Sequence, residues 1–155
     1  MSMLKRLAER GIRIPEAAPT KAARILMTKR VGNLLFVSGQ LPTVNGELVH
    51  KGRVGAEVTL EQAQASARYS ALNVLGQAQA ALPGGLDDIV SVVNVKGYVV
   101  VAEGFIQVAQ AINGASDLMR EVFGDEAGAH TRTALGVSAM PHGAILEVEA
   151  IFEVR

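Results

Sequence analysis

Arg132 and Glu147 are the residues of this chain best suited to chemistry on a small organic acid. A guanidinium presents a planar fork of donors that matches a carboxylate at two points. A carboxylate can orient or deprotonate a water. Both residues lie in one C-terminal stretch, TRTALGVSAMPHGAILEVEAIFEVR, from Thr131 to Arg155. Arg132 opens an apolar run, a turn holding Pro141 and Gly143 follows, and a second run carries the acids. Read as a strand from Ile145 to Val154, the second run puts Leu146, Val148, Ala150, Phe152 and Val154 on one face and Glu147, Glu149 and Glu153 on the other, because side chains alternate along an extended chain. Arginine and acid make a small-molecule site if the fold brings them together. Each has a plainer reading: a strand-end arginine paired with a surface carboxylate, and acids on the solvated face of an edge strand.

The elements that must position these residues follow from periodicity and turn chemistry. Residues from Ser2 to Glu9 suit a short helix, with Gly11 to end it. Pro15 and Pro19 make the next stretch extended. Strands are expected from Ala23 to Met27 and from Leu34 to Ser38, with Gly32-Asn33 as the turn, and a long glycine-rich loop from Gly39 to Glu57. Thr59 with Gln62 three residues on makes a capping box for an Ala-rich helix ending near Ala81, before Pro83-Gly84-Gly85. Ile89 to Val101 is dense in valine and reads as a buried strand. A second helix is expected from Glu103 to Val122, with a break at Asn113-Gly114 and Gly124 at its end. The terminal strand pair completes an α+β domain with both helices on one face of a mixed sheet.

Composition narrows the function. At 155 residues the chain is long enough for one domain with a sizeable core, residues 1–155, of which 1–20 form an N-terminal extension with its short helix. Lys plus Arg and Asp plus Glu both total 15, so net charge is zero and nucleic acid is not an expected partner. Without cysteine there is neither disulfide nor thiolate site, which fits a reducing compartment. The N-terminus is charged and no window has the apolar length of a membrane helix, so no membrane association and a cytoplasmic location are expected. His50, His130 and His142 are scattered without ligand spacing, so no metal is expected. Glycines near Gly55 and Gly84 fit no phosphate-binding fingerprint. The hydrophobic fraction is 49% with only 4% aromatic, an aliphatic excess that other subunits could cover.

Three blocks carry a family resemblance. Arg132, Thr133, Val137, Met140 and Pro141, followed by Glu147, Val148, Glu149, Ala150 and Ile151, match R-[ST]-x-x-x-V-x-x-[LM]-P and E-[VI]-E-A-I. GNLLFVSGQLP from Gly32 to Pro42 resembles a first hairpin, and VTLEQAQASARYSALNVL from Val58 to Leu75 a first long helix. Together they resemble the RidA family, reactive intermediate deaminase A, in the family's order from Gly32 to the C-terminus. The resemblance implies a chorismate-mutase-like fold and a homotrimer whose sheets form a central barrel with clefts between subunits. It assigns Arg132 to the substrate carboxylate and Glu147, not Glu149, to water. Ser38 and Gly39 would line the cleft, Gly39 by close backbone approach. Ser38 is otherwise an ordinary turn hydroxyl.

The departures mark a divergent branch, carrying NGASDLMREVFG from Asn113 to Gly124. Where the best-known members have a first-strand tyrosine, the nearest residue here is Ile25. Where they have Pro-Ala before the arginine, this chain has His130 and Thr131. Asn113 is the candidate for the family's helix asparagine. His130 is a candidate for the pocket wall, or a surface histidine with a hydrogen bond.

The resemblance implies hydrolysis of 2-iminoacids to 2-oxoacids and ammonia, without cofactor or metal, on a small carboxylate substrate. A non-catalytic module that binds small carboxylates keeps Arg132 and discards the acid's role, and the missing tyrosine favours it. A ribonuclease or translation inhibitor is the third reading, opposed by the zero net charge and the absence of a histidine pair.

Overall fold

The computed structural model describes residues 1–20 and 24–155. Helix α1 is Met3–Glu9, followed by strands β1 (Thr28–Val31), β2 (Leu34–Gln40), β3 (Thr43–Val44) and β4 (Glu47–Leu48). Helix α2 (Leu60–Ala81), strand β5 (Ile89–Val100), helix α3 (Val108–Ala127) and strands β6 (Thr131–Val137) and β7 (Leu146–Val154) complete the chain. Five strands form one sheet in the order β1-β2-β7-β5-β6, in which β5 and β6 run parallel and the other pairs antiparallel. This is the α+β arrangement expected, with α2 and α3 on one face.

The covered face follows the alternation in sequence. Leu35 and Val37 of β2, Val95 and Val99 of β5, and Val148, Ala150 and Phe152 of β7 are buried against Ala67, Ala71 and Val74 of α2 and Ile112, Ala115 and Met119 of α3. The capping box is formed: Gln62 N–H donates to Thr59 Oγ1 at 3.1 Å and Thr59 N–H to Gln62 Oε1 at 3.0 Å. The N-terminal extension lies along α2, where Gln77 Nε2 donates to the Ala18 carbonyl at 2.8 Å.

Several boundaries differ from the sequence reading. The first strand is Thr28–Val31; Arg24 to Met27 lie outside it, and Ala23 is not among the described residues. The reason is the two-residue turn at Gly32-Asn33, which pairs the immediately flanking residues, Val31 with Leu34 and Thr28 with Val37. Lys29 and Arg30 make β1 a charged edge, which blunts further pairing. The supposed loop from Gly39 to Glu57 holds the small β3–β4 hairpin, turned by Asn45-Gly46 with φ of 52° and 81°. Helix α3 starts at Val108, because residues 102–107 turn at Gly104, with Ala102 N–H donating to the Val54 carbonyl and Phe105 N–H to the Ala102 carbonyl. It is unbroken at Asn113-Gly114: a Cβ on Gly114 would strike the Gln64 carbonyl of α2, so this glycine permits close helix packing. The helical path breaks at Gly124, with φ 88° and ψ 173°.

The last two strands are not a hydrogen-bonded pair. Strand β5 lies between them, antiparallel to β7 and parallel to β6. Parallel neighbours need a crossover, and α3 supplies it. Strand β7 is therefore central, so its glutamates stand on the open face of an interior strand and not on an edge.

Candidate functional site

Arg132 points to the helix-covered side of the sheet. It pairs in register with Val95, which faces the core. Its Nη1 donates to Asn113 Oδ1 at 2.8 Å and to Ser116 Oγ at 3.2 Å, both on α3. Asn113 and Ser116 are three residues apart and so share a helix face. A guanidinium NH₂ has two hydrogens, and both are used here. Among the described residues, no acid pairs with Arg132. The Nε–Nη2 edge, the side suited to a two-point carboxylate grip, keeps its donors for another partner. His130 completes this cluster: its ring touches Ser116 Oγ through Nε2 at 2.9 Å and the Gly128 carbonyl through Nδ1 at 2.7 Å. Burial holds the His130 pKa below the ordinary value, and the nearby Arg132 and Arg120 act in the same direction.

Glu147 stands on the open face, opposite Tyr98 in register. Strand β2 is bulged here: Val37 pairs with Ala150 and Gln40 with Val148, leaving one extra residue in β2. The bulge brings Gly39 onto the Glu147 carboxylate so closely that a Cβ on Gly39 would overlap it. Gln40 pins the bulge, its buried amide donating to the Ser38 carbonyl at 3.0 Å and the Gly39 carbonyl at 3.3 Å. Burial raises the Glu147 pKa above the ordinary carboxylate value, and repulsion from Glu149 adds to it. Glu149 is paired, by Lys96 Nζ at 3.4 Å and the Tyr98 hydroxyl at 3.4 Å. Glu153 accepts from Ser91 Oγ at 2.9 Å. Of the three acids on this face, Glu147 alone has no donor among the described residues.

Arg132 and Glu147 lie apart within one chain. They occupy opposite faces of the sheet, two strands apart (roughly 10 Å) and three register positions along it (roughly 10 Å). The fold gathers Asn113, His130 and Arg132 in one cluster and Gly39 with Glu147 in another. Ser38 flanks the second; its hydroxyl donates to the Leu26 carbonyl at 2.6 Å and its N–H to the Met27 carbonyl at 2.8 Å. Ile25 is 57% exposed, in irregular chain ahead of β1. Sequence reasoning missed Ser116, Gln40, Lys96 and Tyr98. Only the three-residue spacing of Asn113 and Ser116 on a helix signalled any of them.

The family model described as "YjgF/chorismate_mutase-like, putative endoribonuclease" matches residues 4–154. The chain belongs to this family. Protein TCP17 of Trypanosoma cruzi is 41% identical over 145 residues, covering 94% of this chain and 89% of its relative. The crystal structure of Atu1372 from Agrobacterium tumefaciens, of unknown function, superposes with a TM-score of 0.90 at 38% identity, covering 99% of this chain and 92% of the other. That of a "putative endoribonuclease" from Shewanella oneidensis superposes with a TM-score of 0.92 at 32% identity, covering 99% and 100%. The YjgF/RidA family and the chorismate-mutase-like fold are thus those the motifs resemble. Among the described residues, no helix is long and apolar enough to cross a membrane.

Proposed function

We propose that this protein is an enamine/imine deaminase that hydrolyses 2-iminoacids to 2-oxoacids and ammonia in clefts between the subunits of a homotrimer. One observation carries the reading: Arg132 is held by two neutral acceptors and, among the described residues, is paired with no acid, its carboxylate-binding edge unused. A structural arginine is ordinarily neutralised by an acid; one fixed by an amide and a hydroxyl keeps its full charge for a ligand. The placement of Glu147 on the opposite face supports a site shared between copies, in which the arginine of one chain meets the acid of the next. The open face also carries Val31, Phe36 and Leu135, exposed at 57%, 42% and 51%, an apolar surface suited to burial against other subunits.

The chemistry then needs no cofactor. The substrate carboxylate seats on Nε and Nη2 of Arg132, and the protonated imine places its electrophilic carbon in the cleft. Glu147 takes a proton from water as the water oxygen bonds to that carbon, giving a carbinolamine. The protonated Glu147 returns the proton to nitrogen, the C–N bond breaks to release ammonia, and the carbonyl forms as Glu147 takes the hydroxyl proton, which then passes to the ammonia. The products are a 2-oxoacid and ammonium. Orientation in the cleft supplies most of the rate, because the iminium carbon is already reactive.

Arg132→Lys tests the reading, since it keeps the charge and loses the fork. Iminoacid hydrolysis should fall by about a hundredfold in kcat/KM with little change in Tm; equal turnover would remove Arg132 from the reaction. A carboxylate-binding module without turnover is the second reading, favoured by Ile25 at the tyrosine's place. It predicts binding of 2-oxoacids that depends on Arg132, with no hydrolysis by the unaltered protein.

A further inference from the structure

We propose that Ser116 and His130 are positioning residues for Arg132, joined in a one-way hydrogen-bond relay that sets the plane of the guanidinium. The inference deepens the reading of Arg132 as carboxylate anchor and rests on it for its functional half.

The direction of the relay follows from what each atom can do. The Gly128 carbonyl only accepts, so His130 Nδ1, 2.7 Å away, carries a proton. In the neutral ring Nε2 is then a lone pair, and Ser116, 2.9 Å away, donates its hydroxyl proton to it. A helical serine more commonly turns that proton back to a carbonyl of the preceding turn. Here His130 claims it, and the serine lone pair is left facing Arg132 Nη1 at 3.2 Å. Asn113 Oδ1 takes the other hydrogen of Nη1. Two acceptors on one nitrogen fix the rotation of the group and aim the Nε–Nη2 edge away from α3. The depressed His130 pKa fits a neutral ring.

The start of the relay is built by glycine. A Cβ on Gly128 would lie 2.6 Å from the carbonyl oxygens of both Gly124 and Met119, so only glycine fits where the chain leaves α3 and offers its carbonyl to His130. His130 thus acts on Arg132 from behind, and its hydrogen-bond path to the guanidinium runs through Ser116.

Three variants test the relay: Ser116→Ala, His130→Ala and His130→Gln, whose amide oxygen can replace Nε2 as acceptor. Ligand-free ¹⁵N NMR of the Arg132 side chain reads the geometry, because hydrogen bonds slow rotation about Cζ–Nη. Rotation should be restricted in the native protein and in His130→Gln, and faster in both alanine variants. For iminoacid hydrolysis, the alanine variants should raise KM about tenfold with kcat changed much less, as loss of binding common to ground and transition states requires. His130→Gln should restore KM to within about threefold of the native value. Binding of 2-oxobutanoate by calorimetry should weaken in parallel. Unchanged rotation and unchanged KM in Ser116→Ala overturn the relay, as does a His130→Gln variant as impaired as His130→Ala at equal Tm. Restricted rotation that the alanine variants release, in a protein that binds no 2-oxobutanoate, leaves the relay standing and overturns the carboxylate reading instead.

Discussion

Glu147 and Glu149 share a strand face, yet their surroundings give them different work. Glu149 is ion-paired with Lys96 and accepts from the Tyr98 hydroxyl, whereas Glu147 lies under Gly39 with no donor among the described residues. Glu147→Gln keeps shape and removes the base, so kcat should fall sharply while 2-oxoacid binding persists, as steady-state kinetics and calorimetry would read. The raised pKa fixes the sign of its effect on stability. A carboxyl whose folded pKa lies above its unfolded value stabilises the fold when protonated, and that stability is lost as pH rises through the folded pKa. At neutral pH the Gln variant should therefore melt no lower than the native protein. Because Glu149 helps to raise Glu147, Glu149→Gln should move the acid limb of the kcat/KM profile to lower pH. An acid limb that stays in place would break the link between the two acids. His130 titrates in the opposite sense. Its lowered pKa means that stability present above the ordinary histidine value is lost as pH falls, and His130→Gln should flatten that part of the Tm–pH curve.

At the scale of elements, the site depends on how closely α2 and α3 approach and on how β2 is bent. Gly114 faces the backbone of α2 directly, so Gly114→Ala forces the helices apart and should cost about 1–3 kcal/mol in chemical denaturation. Because Asn113 and Ser116 flank that contact, carboxylate affinity should weaken with it. The hydrogen bonds of the capping box run only between Thr59 and Gln62, and Thr59→Ala should cost about 1 kcal/mol without changing kcat. The β2 bulge is the counterpart on the other face. It exists because Gln40 holds the two carbonyls ahead of it, and it lets a backbone without Cβ pass over the acid.

For the whole molecule, the two half-sites face away from each other across one sheet, and α2 and α3 cover only one of its faces. The proposed trimer resolves both facts. Light scattering should give three times 16.3 kDa. A variant that puts charge on the open face at the exposed Phe36, Phe36→Asp, should dissociate the assembly and lose turnover, since the proposed cleft takes Arg132 from one chain and Glu147 from the next. Full turnover from a monomer would remove the shared cleft.

The sequence by itself determined what depends on neighbours along the chain. Alternation over Leu146–Val154 separated the buried aliphatic face from the acidic one, the Thr59–Gln62 spacing set the start of α2, and three motif blocks together pointed to the family. It misplaced the first strand, because the apolar run before Thr28 reads as a strand until the Gly32-Asn33 turn dictates register. It read the last two runs as a pair, because no local signal reports that β5, which precedes α3 in the chain, inserts between them. Only the tertiary structure decided that Arg132 and Glu147 face opposite ways, since facing depends on which neighbour each strand adopts. It alone also separated Glu149, paired with Lys96, from Glu147, which has no donor among the described residues, and found Ser116 between His130 and Arg132: those distinctions rest on contacts between elements, which periodicity within an element does not encode.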